Sequence, residues 1–166
     1  FGCGNMAGAI LKGWLSAGAP PSAFTVFDPM ARALPDGVAQ GDAADAPFDA
    51  LMLGIKPQML AELAPTIAPL LRPGALLISM LAGIECATLQ RLFPGARVVR
   101  LMPNLAAAIR RSPCGLFSDA LDEDARAQVT GWFDAIGSAE WLSDEGDMAL
   151  FTALGGSGPA FLYRFT

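Results

Sequence analysis

Small residues near the start of the chain form a loop that could hold a phosphate-containing ligand. Gly2, Gly4 and Ala7 fit the spacing G-x-G-x-x-G/A. Here the first glycine makes a tight turn, the second lets the backbone approach a diphosphate, and the third small residue lets a helix pack on a strand. The N–H groups that open the helix then face the phosphates. The loop predicts a dinucleotide site, with these candidate residues: Gly2, Cys3, Gly4, Asn5, Met6 and Ala7.

Other residue types limit what chemistry the chain itself can supply. It contains no histidine, so the commonest general base and zinc ligand is missing. Cys3, Cys86 and Cys114 are widely spaced, and we expect buried small side chains rather than a disulfide or a metal site. We therefore expect a bound cofactor to carry the reaction, and we assign neither a catalytic residue nor a metal ligand.

Composition is typical of one globular domain. The chain has 166 residues, of which 53% are hydrophobic, and a net charge of −5. This charge and the absence of a Lys/Arg run argue against a nucleic-acid surface. The longest apolar stretches, residues 50–55 and 75–84, are far shorter than the roughly 20 residues that cross a bilayer. No cleavable leader pattern is present, so we predict a cytoplasmic protein without a membrane partner.

Short apolar runs alternate with helical patterns along the chain. We predict strands at residues 24–27, 50–55, 75–79, 98–102 and 114–117, and an edge strand at 139–142. Helices are predicted at residues 6–17, 57–71, 85–93, 122–136 and 148–154. This alternation predicts an α/β fold, a Rossmann-type doubly wound and mostly parallel sheet.

Prolines and glycines refine the predicted ends of the helices and strands. We expect Pro65 and Pro69 to break or kink the second long helix and Pro73-Gly74 to turn into the next strand. Gly137 is expected to end the helix that Asp122 begins. Residues 30–34 fit a brief helix. Residues 28–49 are few for a full crossover, so either this part is abbreviated, with residues 38–39 as a vestigial strand, or disordered residues of the natural chain are missing from the sequence here.

Ligands in an open parallel sheet bind beyond the carboxyl ends of the strands. Asp28 lies 24 positions after Gly4, where a carboxylate can bind the adenosine ribose, although Asp-Pro also starts ordinary turns. An acid there favours NAD, whereas nearby Arg32 would accommodate NADP, and the preference stays open. Lys56 would lie near the cofactor, or it is simply an exposed lysine before a proline-started helix.

The later strands also end in candidate residues. Gly83 would let the backbone approach a flat ring, or it makes an ordinary turn. Asn104 offers an amide to a carboxamide or carboxylate, or it caps a helix. Residues 155–159 read as a hinge in which Ser157 caps the next helix, and that helix start would also suit a small carboxylate.

Five ordered segments together resemble the pyrroline-5-carboxylate reductase family. They are spread along nearly the whole chain and are Gly2-Cys3-Gly4-Asn5-Met6, Lys56-Pro57-Gln58, Ser79-Met80-Leu81-Ala82-Gly83, Met102-Pro103-Asn104 and Gly156-Ser157-Gly158-Pro159-Ala160. The resemblance implies reduction of 1-pyrroline-5-carboxylate to L-proline with NADPH or NADH, the last step of proline synthesis. It also implies a Rossmann domain followed by an all-helical domain that forms dimers or larger rings.

The same resemblance assigns roles to individual residues. It implies that the glycine loop holds the diphosphate and that Asp28 lies by the adenosine ribose. The nicotinamide half would be bordered by Lys56, Pro57, Ala82, Gly83 and Asn104. Substrate would meet Met102, Pro103, Ser157 and Gly158.

The resemblance also implies a division of the chain. Residues 1–154 would be the dinucleotide-binding domain, and residues 155–166 the hinge and first turns of the helical domain. Only Phe1 precedes Gly2, and the apolar run 160–166 has no cap, so we expect the natural chain to extend at both ends.

Two departures keep other functions open. Leu105-Ala106 stands where the family has Thr-Pro, and Met80-Leu81 makes its segment bulkier than usual. A different NAD(P)-dependent dehydrogenase of a small acid would share the glycine spacing. A non-catalytic nucleotide-binding module would explain the lost hydroxyl at residue 105.

Overall fold

The computed structural model describes residues 1–29, 34–41 and 46–157. Its strands and helices alternate, as predicted. The strands are β1 (Thr25–Val26), β2 (Ala39–Gln40), β3 (Phe48–Leu53), β4 (Leu71–Ser79), β5 (Arg97–Met102), β6 (Ser112–Phe117) and β7 (Gly137–Trp141). The helices are α1 (Asn5–Ser16), α2 (Leu60–Ile67), α3 (Cys86–Leu92), α4 (Glu123–Asp134) and α5 (Asp147–Phe151), which a π-helical turn, Thr152–Ser157, extends.

The main sheet has the strand order β3-β4-β5-β6-β7. All neighbouring pairs in it are parallel except β5 and β6, which are antiparallel. The carboxyl ends of β3, β4 and β5 therefore meet at one edge, where ligands of such sheets bind. The predicted α/β class with a mostly parallel sheet is confirmed.

A second, two-stranded parallel sheet joins β1 to β2, so the vestigial strand predicted near residue 38 forms at Ala39–Gln40. The backbone of the first two residues links the two sheets. The Gly2 N–H donates to the Phe27 carbonyl at 2.7 Å, and the Gly54 N–H donates to the Phe1 carbonyl at 2.8 Å. This pairing on both sides fixes the glycine loop between β1 and β3.

Apolar side chains fill both faces of the main sheet. One core contains Leu53, Leu77 and Val98 from the strands, covered by α2 and α3. The other contains Ile78 and Val99, covered by α1 and α4. Helices on both faces of a sheet are the doubly wound arrangement, in which the strands read as continuous apolar runs.

Two predicted boundaries, at Gly137 and at Pro73-Gly74, were wrong because tertiary packing decides them. Gly137 does not end α4 but begins β7, where a Cβ would lie 1.8 Å from the Ser112 carbonyl oxygen. Pro73 and Gly74 lie within β4, where a shift in its pairing with β3 accommodates them. The predicted break in the second long helix is found near Pro69, because α2 ends at Ile67 and a 3₁₀ turn, Ala68–Leu70, follows; Pro65 lies inside α2. The helix predicted at residues 30–34 falls mainly outside the described residues.

Candidate functional site

The glycine loop adopts the geometry that its small residues permit. Gly2 has φ +81°, and a Cβ there would lie 2.8 Å from the Gly54 carbonyl oxygen, so only glycine fits without strain. A Cβ on Gly54 would in turn lie 2.9 Å from the Ala7 Cβ, which explains why residue 7 must be small. Gly4 is different, because no described atom lies within 4 Å of a Cβ built there. The loop is thus closely packed on one side and open at Gly4.

The start of α1 provides donors for an anion at this opening. Gly4 is the residue before the helix, and among the described residues no side chain caps the helix. The first turn carries no acidic residue, and the twelve-residue helix directs the positive end of its dipole toward the loop. Open space at Gly4, beside a helix start without a side-chain cap, fits a diphosphate.

Asp28 supports the loop from the end of β1. Its Oδ2 accepts a hydrogen bond from the Cys3 N–H at 2.8 Å, and the residue is half-buried. The carboxylate predicted to lie near a ribose therefore stands beside the glycine loop. Arg32, the predicted alternative partner for NADP, lies outside the described residues.

A smaller cavity lies at the carboxyl ends of β4 and β5. It has a volume of about 220 Å³, and its lining includes Ala82, Gly83, Arg100, Met102, Glu145 and Thr152. We call it the Gly83 cavity. Gly83 has φ +73°, and among the described atoms none lies within 4 Å of a Cβ built on it. The backbone there has room for a flat group, and the approach of a ring to Gly83 stays a prediction.

Two predicted neighbours of this cavity lie outside its lining. Lys56 is exposed just beyond β3, before the short 3₁₀ helix Pro57–Met59. Pro103 is buried immediately after β5. The structure places both at the same sheet edge as Gly83, but it does not bring them into the cavity wall.

Asn104 uses its amide inside the protein. Its Oδ1 accepts from the Ala106 N–H at 3.0 Å and caps the 3₁₀ helix Leu105–Ile109. Its Nδ2 donates to the Gly155 carbonyl at 3.0 Å. The capping alternative considered above is thus the one the structure supports, and Asn104 also ties the end of β5 to the π-helical turn. Ser157 is the last residue of that turn, and Gly158 lies outside the described residues.

Sequence reasoning missed a buried ion pair in the wall of the Gly83 cavity. The Arg100 Nη1 lies 2.9 Å from the Glu145 Oε1, and the Arg100 side chain is 9% exposed. The Cys86 N–H at the start of α3 donates to the same carboxylate oxygen at 2.7 Å. Burial, and then the Glu145 charge, raise the pKa of the Cys86 thiol to about 12. Arg100, a charged residue between the apolar Val99 and Leu101 of β5, was the signal for this pair.

A larger cavity, of about 630 Å³, runs behind the glycine loop. Apolar residues of α1, β1 and β3 dominate its lining, among them Leu11, Val26 and Leu51. It does not include Gly83 or Asn104. The apolar walls of this cavity offer few hydrogen-bond partners to a charged dinucleotide. The open side of the loop at Gly4 is therefore the better candidate for the dinucleotide site.

Among the described residues, we find no group of three or more His, Cys, Asp or Glu side chains arranged to bind a metal. Nor does any helix in the described parts have the length and hydropathy to cross a membrane. The candidate site therefore consists of the glycine loop, Asp28 and the Gly83 cavity.

Comparison with known proteins identifies the family. Residues 1–83, half of the 166-residue chain, match the family described as NADP oxidoreductase, coenzyme F420-dependent. The chain belongs to this family. Individual relatives point to one enzyme type. The pyrroline-5-carboxylate reductase of Pseudomonas aeruginosa is 35% identical over 173 aligned residues, which cover 98% of this chain and 63% of that protein. The predicted resemblance to pyrroline-5-carboxylate reductases is confirmed.

Solved structures agree with this membership. A pyrroline-5-carboxylate reductase from Coxiella burnetii superposes with a TM-score of 0.84 at 26% identity, covering 99% of this chain and 65% of that one. The pyrroline carboxylate reductase of Plasmodium falciparum, crystallised with NADP bound, gives a TM-score of 0.88 at 22% identity over 99% of this chain and 63% of that one, and shows the same fold. The chain spans less than two thirds of the length of these relatives.

Proposed function

We propose that this chain is the coenzyme-binding part of a pyrroline-5-carboxylate reductase, which reduces 1-pyrroline-5-carboxylate to L-proline with NADPH or NADH. The observation that carries the proposal is the 35% identity to the Pseudomonas aeruginosa reductase along nearly the whole chain. The open space at Gly4, beside an uncapped helix start, supports the coenzyme part of it.

In this proposal the coenzyme lies along the carboxyl edge of the sheet. The diphosphate binds the N–H groups that follow Gly4, and Asp28 lies by the adenosine ribose. The nicotinamide half enters the Gly83 cavity, with Lys56 and Pro57 at its border. Asn104 acts there through the position of its backbone, because its amide holds Ala106 and Gly155.

The reaction does not require a side chain of this chain to act as a general acid or base. Reduction of the C=N bond needs a hydride at carbon, which the bound nicotinamide supplies, and a proton on nitrogen. The ring nitrogen can be protonated before the hydride arrives, so a chain without histidine is suited to the reaction. The protein orients the two reactants and excludes water. Met102 and Pro103 would lie nearest the substrate, with Ser157 and Gly158 at the start of the next domain.

The remaining parts of the proposal concern the whole protein. Residues 1–154 form the coenzyme domain, and residues 155–166 begin a helical domain through which two copies form a homodimer or a larger assembly. The reductase acts in the cytoplasm on a small substrate, without nucleic acid or membrane as a partner.

The test is to add pyrroline-5-carboxylate to the full-length protein with NADPH or NADH and to measure whether the coenzyme is oxidised. We expect oxidation that depends on both the imine and the protein, with proline as the product. Tight nucleotide binding without oxidation would instead favour a non-catalytic module. Oxidised coenzyme reduced by a small hydroxyacid, with no reaction of the imine, would favour a different dehydrogenase.

A further inference from the structure

The Arg100–Glu145 pair connects three separate elements around the Gly83 cavity. Arg100 projects from β5, Glu145 precedes α5, and the Cys86 N–H that opens α3 bonds the same Glu145 oxygen. Both contacts are short, at 2.7 and 2.9 Å, and charge-assisted bonds of this kind fix geometry well. Glu145 thus determines how Arg100 and the start of α3 are arranged in the cavity wall.

The pair also determines the charge of that wall. Arg100 brings a permanent positive charge into the wall of a cavity, and its side chain is only 9% exposed, so water screens it poorly. Glu145, with a side chain 26% exposed, cancels this charge at contact distance. The other charged residue in the lining is Glu85, which is exposed, so solvent screens the effect of its charge on the cavity.

We propose that Glu145 is a positioning residue for the nicotinamide half of the coenzyme, which keeps the wall of the Gly83 cavity electrically neutral by pairing with Arg100. This inference rests on the proposed function, because it places nicotinamide in that cavity. The oxidised nicotinamide ring is a cation and the reduced ring is neutral. An uncompensated Arg100 would therefore weaken binding of the oxidised coenzyme specifically.

The experiment compares Glu145→Gln with the unaltered protein by measuring dissociation constants for NADP⁺, NADPH and 2′,5′-ADP. The glutamine carbonyl can still accept from the Cys86 N–H, so the change removes mainly the charge. We expect NADP⁺ to bind roughly tenfold more weakly, since a like charge is left nearby. NADPH should change much less, and 2′,5′-ADP, which has no nicotinamide, should bind as before.

Arg100→Met is a second variant, for which we expect the opposite change in NADP⁺ affinity. It leaves the Glu145 charge in the wall, so NADP⁺ should gain affinity relative to NADPH. Glu62→Gln is the matched control, because it removes the same charge from an exposed position on α2 outside the cavity lining. Thermal melting shows which variants are folded.

Equal changes for all three ligands, or no change for any, would overturn the role of Glu145 while leaving the proposed function intact. Equal changes would indicate a purely structural pair. Failure of the unaltered protein to bind these three ligands, and NADH as well, would overturn the proposed function and this inference with it.

Discussion

Two glycines of the loop, two residues apart, should respond differently to replacement by alanine: at Gly4 mainly coenzyme binding should suffer, and at Gly2 mainly stability. Gly4 has φ −66° and ψ −170°, which any residue adopts, and a Cβ there meets no described atom within 4 Å. Gly4→Ala should therefore fold, losing about 0.5–1 kcal/mol because alanine is a poorer residue before a helix than glycine. For a domain of this size, that corresponds to a fall in Tm of about 1–4 °C.

The same methyl group would occupy the space proposed for the diphosphate. Displacing the diphosphate would break at least two charge-assisted hydrogen bonds to the helix start, each contributing about 1.5 kcal/mol or more. A loss of about 3 kcal/mol raises the dissociation constant for NADPH roughly 100-fold. Titration calorimetry with NADPH measures this change directly.

Gly2→Ala should instead act on the fold. Alanine at φ +81° is strained by about 1–2 kcal/mol. Its Cβ would also lie 2.8 Å from the Gly54 carbonyl oxygen, and overpacking against backbone costs about 1–3 kcal/mol. The sum, about 2–5 kcal/mol, should lower the Tm by about 10 °C.

Gly131→Ala is the control for both variants. Gly131 is exposed on α4, with no described atom within 4 Å of a Cβ built there, and it belongs to neither the glycine loop nor the lining of the Gly83 cavity. Alanine there should leave NADPH affinity unchanged and stabilise the helix slightly. Unchanged NADPH affinity in Gly4→Ala would refute the placement of the diphosphate, whatever the effect on melting.

Two further predictions concern groups that contact the loop. Asp28→Asn should lower the free energy of unfolding by about 1 kcal/mol, because the Cys3 N–H then bonds a neutral acceptor. It should also raise the ratio of NADPH to NADH affinity about tenfold, since a negative charge near the 2′-phosphate is removed; titrations giving an unchanged ratio would count against the ribose assignment. Burial raises the pKa of the Cys86 and Cys114 thiols to about 12 and 11, so at pH 8 they should resist alkylation. Mass spectrometry should then find label on half-buried Cys3 alone, and NADPH should slow that labelling; equal labelling with and without NADPH would mean that the coenzyme does not cover the loop.

Sequence patterns predicted those parts of the fold that depend on local rules. The apolar runs that become β3, β4 and β5 and the helix that follows Gly4 are set by periodicity and turn chemistry. The spacing of Gly2, Gly4 and Ala7 reflects steric limits that the structure reproduces as contacts with Gly54 and open space at Gly4.

The features that were missed depend on neighbours distant in sequence. Gly137 begins a strand because the Ser112 backbone approaches it, 25 residues earlier in the chain. The Arg100–Glu145 pair joins residues 45 positions apart, and no local pattern relates them. Asn104 was weighed as a cap or a ligand, and only its contact with Gly155 shows that both ends of the amide are engaged.

The most direct test of the coenzyme site is a crystal structure of this chain with NADP⁺ bound. Our account predicts the diphosphate at hydrogen-bonding distance from the N–H groups that follow Gly4, with the nicotinamide ring in the Gly83 cavity. A coenzyme lying in the apolar cavity behind the loop, or a diphosphate away from the start of α1, would contradict it.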